Sequence, residues 1–406
     1  MEIVVQKYGG KSLADPEKIN NVAYRIAKAK KDNQVVVVVS AMGDTTDELI
    51  ALVHQISQQP DKRELDSLLA TGEIVSSTLL VSALQSLGQD AISLTGAQAG
   101  IKTDNNYGRA RIVSIDPSRI LEELKSGRIV VVAGFQGVTE KGDVATLGRG
   151  GSDTSAVALA AKLGAKRCEI YTDVKGIFTA DPRLVPEARQ LEQIDYEETL
   201  ELASLGAKVI HPRAVELGEL FNLPILVASS FADAPGTLIQ GGIPMEIRSK
   251  VRNIVDDSNL AKITIIGVPD QPCVASAIFR PLAQANISVD TIVQNASIDR
   301  ITDLTFTVAR SDLVKAMSIV EPVAKSIGAK DCVSDSKLAK VSVVGTGMRN
   351  SPGYAADMFE ALSGAGINIE LISTSEIRIT CIVNEDRIEE AVRVLHRAFE
   401  LEKIEE

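Results

Sequence analysis

The stretch Thr146-Leu-Gly-Arg-Gly-Gly-Ser-Asp-Thr154 runs directly into a series of small and apolar residues. Its glycines permit a tight turn and a close approach of the backbone to a ligand, and Ser152 or Asp153 has the side chain of a helix N-cap. The start of a helix presents free N–H groups and the positive end of a dipole, which suits an anion. Arg149 adds a planar cation shaped for a carboxylate or phosphate. The stretch therefore predicts an anion site at the start of a helix over residues 155–163.

Strand-like and helical patterns alternate over roughly the first 230 residues. Short β-branched runs lie at residues 3–5, 35–39, 129–132, 169–171 and 225–227, and helical patterns such as 16–30 and 73–87 separate them. This alternation predicts an α/β fold with a largely parallel sheet sandwiched by helices. Four of the strands are followed by Gly, Ser, Lys or Asp, at residues 7–10, 40–43, 134–137 and 172–173. Because ligands bind outside the carboxyl ends of such strands, these four ends predict one shared site.

The composition excludes several classes of partner. The chain has 406 residues, 45% of them hydrophobic, and carries 43 Lys and Arg against 54 Asp and Glu, for a net charge of -11. Nucleic-acid binding needs a basic face, so no nucleic-acid partner is expected, although a local cationic site can hold a small anion. The apolar run at 35–39 is too short to cross a bilayer, and no secretory signal precedes it. Four scattered cysteines without a C-x-x-C pair favour reduced thiols. We expect a cytoplasmic protein with no membrane partner.

The run Lys7-Tyr-Gly-Gly-Lys-Ser12 follows the first predicted strand and imitates the end of a P-loop. A P-loop also needs a glycine at the position that Val5 occupies, so that interpretation is rejected. Two interpretations remain. Either Gly9 and Gly10 let the backbone approach phosphate oxygens while Lys7 supplies a point charge, or the run is an ordinary turn.

Three other segments have both a functional and an ordinary interpretation. Glu73, in Thr71-Gly-Glu73, either caps the helix that begins there or holds a substrate ammonium. The run 171–183, which includes the turn-forming Asp181-Pro182, is either a nucleotide loop or a well-capped turn. Lys208 is either a second phosphate-binding cation or a solvated lysine.

The three histidines are not expected to take part in chemistry. His211 precedes a proline, which favours a structural role, and His54 and His396 lie in polar helical contexts that favour solvent. No cluster of His, Cys and Asp has metal-ligand spacing, and no Ser-His-Asp order or G-x-S-x-G elbow is visible. The sequence therefore predicts no metal site built from side chains.

The last part of the chain contains an internal repeat. Lys262-Ile-Thr-Ile-Ile-Gly267 corresponds to Lys340-Val-Ser-Val-Val-Gly345, and Ala285-Asn-Ile-Ser-Val-Asp290 corresponds to Ala365-Gly-Ile-Asn-Ile-Glu370. Each copy reads as strand, loop, helix, strand, strand and helix, which predicts a small ferredoxin-like α+β module. A duplicated module after a complete α/β domain indicates either ligand sensing or dimerisation alone. We place domains at 1–231, 257–335 and 336–406, with a Gly- and Pro-containing linker at 232–256.

Taken in order, the motifs resemble those of the aspartate kinases within the amino-acid kinase family, and the repeat resembles their paired ACT domains. The resemblance covers nearly the whole chain. The matching segments are Lys7–Gly10, Ser40–Asp47, Thr71–Glu73, Leu147–Asp153, Tyr171–Asp173, Asp181–Arg183 and Ala207–Pro212.

This resemblance implies phosphoryl transfer from ATP, with Mg²⁺ on its phosphates, to the side-chain carboxylate of L-aspartate. That reaction begins the route to lysine, threonine and methionine. It implies Lys7 and Asp153 as catalytic residues, with Asp153 orienting the cations at the phosphates. The implied aspartate-binding residues are Ser40, Thr46, Glu73, Arg149 and Ser152. The implied nucleotide-binding residues are Lys7, Gly9, Gly10, Ser40, Thr172, Asp173, Phe178, Arg183 and Lys208.

The same resemblance implies feedback control by lysine, threonine or both. The implied effector-binding residues are Asp270, Asp290, Gln294, Asn295, Ser373, Thr374 and Glu376. Acidic Asp290 suits the ammonium of an amino acid, and Glu370 is its equivalent in the second copy. A homo-oligomer, or an assembly with a separately made regulatory chain, is expected through the ACT domains. Met245 lies at a boundary suited to an internal start.

Two positions depart from the pattern of the family. Lys11 stands where a small hydroxyl residue is usual, and Cys273 stands where a glycine is usual, whereas Gly353 keeps that glycine in the second copy. The alternatives are another kinase of the family, such as a glutamate 5-kinase or a nucleoside-monophosphate kinase, and a non-catalytic amino-acid sensor. Thr71-Gly-Glu73 and the paired modules argue against the first, and the charged set Lys7, Glu73, Arg149 and Asp153 argues against the second.

Overall fold

The computed structural model describes residues 1–207, 209–242, 251–295, 300–346, 348 and 353–403. The described residues of 1–178, 190–204 and 208–247 form one compact unit, and those of 179–189, 205–207 and 248–406 form another. The predicted site residue Lys208 and the boundary residue Met245 lie outside the described residues. Because 179–189 groups with the second unit, chain order alone does not separate the two units, and the linear domain boundaries stay a prediction.

The first unit contains twelve strands among its described residues. They are β1 (Glu2–Tyr8), β2 (Asn33–Val39), β3 (Ala91–Leu94), β4 (Ile101–Thr103), β5 (Ile112–Ile115), β6 (Ile129–Ala133), β7 (Gln136–Val138), β8 (Val144–Thr146), β9 (Arg167–Thr172), β10 (Gln193–Ile194), β11 (Ile225–Ser229) and β12 (Thr237–Ile239). Eight form a sheet in the order β10-β12-β11-β9-β1-β2-β6-β3, in which only the β11–β12 pair is antiparallel. The other four form a small sheet in the order β5-β4-β7-β8.

Helices cover the large sheet, as the alternating pattern predicted. They are α1 (Pro16–Ala29), α2 (Thr45–Ile56), α3 (Lys62–Leu69), α4 (Thr71–Ser86), α5 (Ser118–Lys125), α6 (Gly151–Lys162), α7 (Tyr196–Ser204) and α8 (Pro212–Leu220). Val35, Val37 and Val39 of β2 lie in one core cluster with residues of α1 and α4, and α6 packs on β1, β2 and β9. All five residues of Val35–Val39 are fully buried. Each such valine contributes roughly 1.5–3 kcal/mol of burial free energy, so β2 anchors the sheet.

In its described residues, the second unit is an antiparallel sheet with four α-helices. Its strands are β13 (Asn253–Pro269), β14 (Val289–Gln294), β15 (Ile301–Val308), β16 (Asp331–Val344), β17 (Leu371–Thr374) and β18 (Arg378–Asn384). Its helices are α9 (Val274–Gln284), α10 (Leu313–Ser326), α11 (Tyr354–Gly364) and α12 (Ile388–Ala398). The strand order is β14-β15-β13-β16-β18-β17. Helices α9 and α10 share a core with the first copy of the repeat, and α11 and α12 with the second.

The two repeat copies are joined through the long strands β13 and β16. The second half of β13 pairs with the first half of β16, from Lys262 opposite Asp335 to Ile266 opposite Asp331. The first half of β13 pairs with the end of β16, where Asp257 lies opposite Lys340. The fourth strand of the second copy is therefore formed by residues that precede the first copy in the sequence. That strand begins inside the predicted linker 232–256, which also holds β12, so this stretch is partly sheet.

Candidate active site

The ends of four parallel strands lie side by side, as the strand-end pattern predicted. Strands β9, β1, β2 and β6 are consecutive in the sheet. Beyond them, the Gly9 N–H donates to the Tyr171 carbonyl (3.3 Å), the Ser40 N–H to the Tyr8 carbonyl (3.1 Å) and the Gly134 N–H to the Val39 carbonyl (3.0 Å). These bonds hold the loops after the strands against one another. The sequence segments at 7–10, 40–43, 134–137 and 172–173 thus share one edge of the sheet.

Lys7 and Asp153 meet at this edge. Lys7 Nζ lies 2.6 Å from Asp153 Oδ1, and the two side chains are only 11% and 12% exposed. Two glycines follow in the same loop. A Cβ on Gly9 would lie 3.5 Å from Lys7 Nζ, and one on Gly10 would lie 2.7 Å from the Ala41 carbonyl oxygen. A side chain at Gly10 would therefore collide with backbone, which explains the second glycine of the run.

The glycine-rich turn begins α6 differently from the prediction. Gly150 is the N-cap, with a φ of 68° in the left-handed region, and no side chain caps the helix. Ser152 and Asp153 lie in the first helical turn, so the prediction that one of them is the N-cap is wrong. The reason is that Gly150 and Gly151 carry the turn, which leaves Asp153 to face Lys7. A Cβ on Gly150 would lie 2.1 Å from Cγ of His211, so only glycine fits there.

Glu73 is the buried acid of the site. It lies in the first turn of α4, is 3% exposed, and its Oε1 accepts a hydrogen bond from the Ala41 N–H at 3.1 Å. Among the described residues, its other oxygen, Oε2, is buried and has no hydrogen-bond partner. Burial raises the pKa of Glu73 to about 7, and the Ala41 N–H opposes that rise. A buried carboxylate oxygen without a partner is a receptor for a cation, which favours the substrate interpretation of Glu73 over the cap.

Two residues that the sequence analysis missed position the glycine-rich turn. Asp66 of α3 is fully buried, and its carboxylate accepts from the Thr146 N–H and Oγ1 (each 2.7 Å) and from the Gly108 N–H (2.9 Å). Arg213 of α8 donates to the Leu147 carbonyl at 2.7 Å. Two features of the sequence could have indicated these residues. Asp66 is an acid among the apolar residues of a helix, and Arg213 belongs to the Pro-Arg pair that follows His211.

The remaining predicted aspartate-binding residues lie around these elements. Ser40 directly follows β2, Thr46 lies in the first turn of α2, and both are half-buried. Arg149 is exposed and borders an open groove together with Arg109 and Arg213. The groove is cationic, as an anion site requires. The ligand contacts of Ser40, Thr46, Arg149 and Ser152 stay predictions.

The predicted nucleotide loop follows β9. Thr172 Oγ1 donates to Asp173 Oδ1 at 3.1 Å, and Lys11 Nζ lies 2.7 Å from Asp173 Oδ2. The hydrogen bond from Lys11 lowers the pKa of Asp173. Phe178 is half-buried in the first unit. Arg183 belongs to the second unit, where its guanidinium pairs with Asp181 at 2.6 Å, so its nucleotide contact stays a prediction.

The histidine predictions have mixed outcomes. His211 caps α8, because its Nδ1 accepts from the Arg213 N–H at 3.3 Å, which confirms a structural role. His54 is exposed, as predicted. The prediction for His396 is wrong: it is 1% exposed, and its Nε2 lies 2.9 Å from Thr179 Oγ1. The sequence around His396 looks polar, but the face of α12 that carries His396 lies against Thr179, which is far away in the sequence.

Helices α3 and α4 form one run, Lys62–Ser86, that could cross a membrane by length and composition alone. This run packs on β2, β3 and β6 and contributes both Asp66 and Glu73. One side of this run is therefore part of the core of the first unit, and half of its most apolar stretch is buried. In the part of the chain that the structure describes, no three His, Cys, Asp or Glu residues group as metal ligands.

Comparisons with known proteins decide the family. The model of the amino acid kinase family matches residues 2–229, and ACT domain models match 262–324 and 341–399. An aspartokinase of Mycolicibacterium smegmatis is 50% identical over 408 residues, which is 99% of this chain and 97% of that one. The chain belongs to the aspartokinases of the amino acid kinase family. The resemblance seen in the sequence is thereby confirmed.

Solved aspartokinases share the fold. E. coli aspartokinase III, in complex with aspartate and ADP in an R-state, has a TM-score of 0.80 at 25% identity and matches 98% of this chain and 99% of that one. The same E. coli protein in complex with lysine and aspartate, in a T-state, has a TM-score of 0.77 at 25% identity, with 98% and 100% of the two chains matched. The largely parallel sheet with helices and the two ACT modules are thus the aspartokinase architecture.

In the second unit of this aspartokinase, lysines already pair with the acids predicted to meet an effector. Lys340 Nζ lies 3.0 Å from Asp290 Oδ2 and 3.6 Å from Asp257 Oδ2. The equivalent lysine, Lys262, lies 2.9 Å from Glu370. Each lysine belongs to one copy of the repeat, and its carboxylate partner on β14 or before β17 belongs to the other. Both lysines lie in the repeated sequence, but nothing in that sequence indicates this exchange.

Apart from Asp270, the other predicted effector residues of the aspartokinase lie on or directly after the two edge strands of this sheet. Gln294 ends β14 at one edge, whereas Ser373 and Thr374 end β17 at the other. Asp270 follows β13, Asn295 follows β14 and Glu376 follows β17. Within one chain, the candidate effector residues on β14 and on β17 therefore lie at opposite edges of the sheet, and effector binding by these residues stays a prediction.

The two departures from the family have structural consequences. Lys11 forms the ion pair with Asp173. Cys273 is the N-cap of α9 with a φ of 75°, in the left-handed region that favours glycine. Gly353 takes the equivalent position before α11 with a φ of 122°.

Proposed function

We propose that this aspartokinase transfers the γ-phosphoryl group of ATP to the side-chain carboxylate of L-aspartate, giving 4-phospho-L-aspartate and ADP at the edge where β9, β1, β2 and β6 end. The observation that carries the proposal is the pairing of Lys7 with Asp153 beside the glycines of the Lys7-Tyr-Gly-Gly run. An oxygen of the acceptor carboxylate forms a bond to the γ-phosphorus while the bond to the β-phosphate oxygen breaks, and ADP leaves. In E. coli aspartokinase III, aspartate and ADP are bound together.

The chemistry explains why the site needs no catalytic histidine. A side-chain carboxylate with a reference pKa near 3.9 is already ionised at neutral pH, so no base has to activate it. The obstacle is repulsion between an anionic nucleophile and an anionic phosphate, which cations and N–H groups relieve. Lys7, the Gly9 and Gly10 backbone and Mg²⁺ would supply that relief. Mg²⁺ would arrive on the phosphates, because it usually keeps its waters and binds through phosphate oxygens.

Glu73 and Arg149 would orient the acceptor. Oε2 of Glu73, which has no hydrogen-bond partner in the described part of the chain, suits the α-ammonium of aspartate, and the exposed guanidinium of Arg149 suits its α-carboxylate. Ser40, Thr46 and Ser152 would add hydrogen bonds to the substrate, and Asp153 would orient Lys7. Thr172, Asp173 and Phe178 would line the nucleotide site.

We further infer that the enzyme catalyses the first step in the biosynthesis of lysine, threonine and methionine, and that it does so in the cytoplasm. Its ACT modules would bind lysine, threonine or both as feedback inhibitors. Lysine occurs in the T-state complex of the E. coli relative. Assembly would be a homo-oligomer, or a complex with a separately made regulatory chain, through the ACT modules.

A coupled assay of ADP release tests the reaction. We expect turnover with aspartate, and little with glutamate or UMP at equal concentration. Lys7→Met should abolish the aspartate signal while the protein keeps its fold, as circular dichroism would show. Preferred turnover of glutamate or UMP, or undiminished turnover in the Lys7 variant, would contradict the proposal.

A further inference from the structure

Asp66 connects the two elements that carry the proposed aspartate-binding residues Glu73 and Arg149. It lies on α3 and is fully buried. Its Oδ2 accepts from the Thr146 N–H at 2.7 Å and from the Gly108 N–H at 2.9 Å, whereas its Oδ1 accepts from Thr146 Oγ1 at 2.7 Å. Thr146 ends β8 and begins the glycine-rich turn that bears Arg149. Hydrogen bonds to a buried carboxylate are strong, so Asp66 holds this turn against α3.

The same helical run holds Glu73. Ala70, between α3 and α4, keeps right-handed helical angles, so Glu73 follows Asp66 by about two turns, or about 10 Å, on the same face. Gln136 Nε2 donates to the Ala70 carbonyl at 2.8 Å, and the Ala41 N–H donates to Glu73 Oε1 at 3.1 Å. The first turn of α4 is thus fixed against β7 and against the loop after β2. The segment 66–73 is therefore a firm connection between Glu73 and the glycine-rich turn.

The glycine-rich turn also packs on the loop that contains Gly108. The Ala110 N–H donates to the Thr146 carbonyl at 2.9 Å. A Cβ on Gly148 would lie 3.0 Å from the Gly108 carbonyl oxygen, so the two backbones are in close contact. Because Asp66 accepts hydrogen bonds from both segments, loss of its carboxylate would loosen both of them together.

The spacing of Glu73 and Arg149 matters because both would bind groups on the α-carbon of the acceptor. Glu73 would bind the ammonium and Arg149 the α-carboxylate, which together fix the position of the α-carbon. The length of the acceptor side chain then decides whether its carboxylate reaches the γ-phosphorus. Glutamate is one methylene longer than aspartate, and a misplacement of about 1 Å can cost about a hundredfold in rate. A firm spacing therefore selects aspartate, and a loose spacing would admit glutamate.

We propose that Asp66 is a positioning residue that fixes the spacing of Glu73 and Arg149 and thereby selects aspartate over glutamate. The proposal rests on the proposed roles of Glu73 and Arg149 in binding the acceptor. Asp66 acts through the backbone of the glycine-rich turn and through the helical run 66–73, without contact to the substrate. It should consequently affect the acceptor and leave the nucleotide unaffected.

Steady-state kinetics of the full chain with aspartate and with glutamate, in the ADP-release assay, test this proposal. Asp66→Ala should raise the KM for aspartate about tenfold and leave that for ATP within about twofold. It should also lower about tenfold the preference for aspartate, which is the ratio of the two kcat/KM values. Asp66→Asn should restore most of the preference, because its carbonyl oxygen can accept from both N–H groups and its amide can donate to Thr146 Oγ1.

Thr146→Val keeps the test decisive if Asp66→Ala does not fold. This substitution removes only the hydroxyl that donates to Asp66 Oδ1 and keeps the shape of the side chain. Its KM for aspartate and its preference should lie between those of the native protein and those expected for Asp66→Ala. An unchanged preference in Thr146→Val would overturn the proposal. An Asp66→Asn variant no better than Asp66→Ala would also overturn it, since the charge of Asp66 would then matter and its hydrogen bonds would not.

Glu123→Ala is the matched control for a merely structural effect. Glu123 is also a buried acid, and it pairs with Arg119 at 2.7 Å and with Arg128 at 2.8 Å. Arg128 directly precedes β6, at the opposite end of that strand from the site. This control should lose stability but keep both KM values and the preference for aspartate. An equal loss of preference in the control would overturn the proposal.

Glu73→Gln shows which idea has failed. If this variant raises the KM for aspartate while the Asp66 variants do not, the acceptor site stands and the positioning role of Asp66 is wrong. If Glu73→Gln leaves the KM for aspartate unchanged, the proposed acceptor site itself is misplaced. A rise in the KM for ATP equal to that for aspartate in Asp66→Ala would overturn the positioning role as well, because the effect would not be confined to the acceptor.

Discussion

Lys7 Nζ and Asp153 Oδ1 lie 2.6 Å apart and are almost excluded from solvent. The pair joins β1 to the first turn of α6, so it links the strand that carries the proposed phosphate loop to the glycine-rich turn. A charge pair this well buried is costly to break on one side only, because the remaining charge is left without compensation.

This arrangement predicts that stability and activity separate in a double variant. Lys7→Met and Asp153→Asn should each lower the free energy of unfolding by up to about 3–5 kcal/mol. The double variant should regain most of that loss, because no charge is left unpaired, yet its turnover should stay as low as that of Lys7→Met. Chemical denaturation and the ADP-release assay measure the two properties. Strictly additive losses of stability would mean that the two side chains do not interact.

Glu73 predicts a pH dependence of substrate binding. Its pKa of about 7 leaves roughly a tenth of the molecules ionised at pH 6, and a carboxyl without charge cannot pair with an ammonium. The KM for aspartate should therefore rise about tenfold from pH 8 to pH 6, while that for ATP changes little. Glu73→Gln should show a high and pH-independent KM for aspartate. A pH profile unaltered by that substitution would remove Glu73 from the substrate site.

Ionisation of Glu73, which should favour aspartate binding, should lower the stability of the folded protein. Because burial raises the pKa of Glu73 from 4.5 to about 7, the folded state binds more protons than the unfolded state between these values. The free energy of unfolding should then fall as the pH rises through this window, by roughly 3 kcal/mol from this group at most. Denaturation of the native protein and Glu73→Gln at pH 5 and pH 8 isolates the difference.

The sequence predicted the parts of the fold that local patterns encode. The run Val35–Val39 and the residues after it predict a buried strand whose carboxyl end lies at a ligand site. The glycines around Arg149 predict the start of α6. The fourth strand of the second ACT copy was not predictable in this way. It comes from residues before the first copy, and its partner on β16 lies 83–91 residues away in the chain, from Asp257 opposite Lys340 to Asn253 opposite Val344, so no local pattern records the pairing.

The same limit applies to the site. Lys7, Glu73 and Asp153 were predicted because each lies in a motif. Asp66 was missed because its role depends on where Thr146 folds, and His396 was misjudged because its environment comes from Thr179. The environments of Asp66 and His396 are set by contacts with residues distant in the sequence, and spacing along the chain does not reveal such contacts.

The exchanged lysine pairs predict how effector binding responds to substitution. Lys340→Met should free Asp290 and increase inhibition by lysine or threonine several-fold, provided that the effector ammonium uses this carboxylate. Lys262→Met is the matched change in the other copy and should act through Glu370. Basal turnover without effector should be unchanged in both, since neither lysine belongs to the proposed catalytic machinery. Inhibition curves for each amino acid measure the effect, and weaker inhibition in Lys340→Met would mean that this lysine helps to build the pocket.

Cys273 predicts a gain of stability on return to glycine. Its φ of 75° costs a residue with a side chain about 1–2 kcal/mol, whereas glycine adopts this conformation freely but loses roughly 0.5–1 kcal/mol more chain entropy on folding. Cys273→Gly should therefore raise the free energy of unfolding by about 0.5–1 kcal/mol. Gly353→Ala offers the reverse experiment at the equivalent position, where a φ of 122° is still less suited to a side chain, and should lower it by about 1–3 kcal/mol. If denaturant titration shows that Cys273→Gly destabilises the protein, the thiol makes contacts before α9 that outweigh the backbone strain.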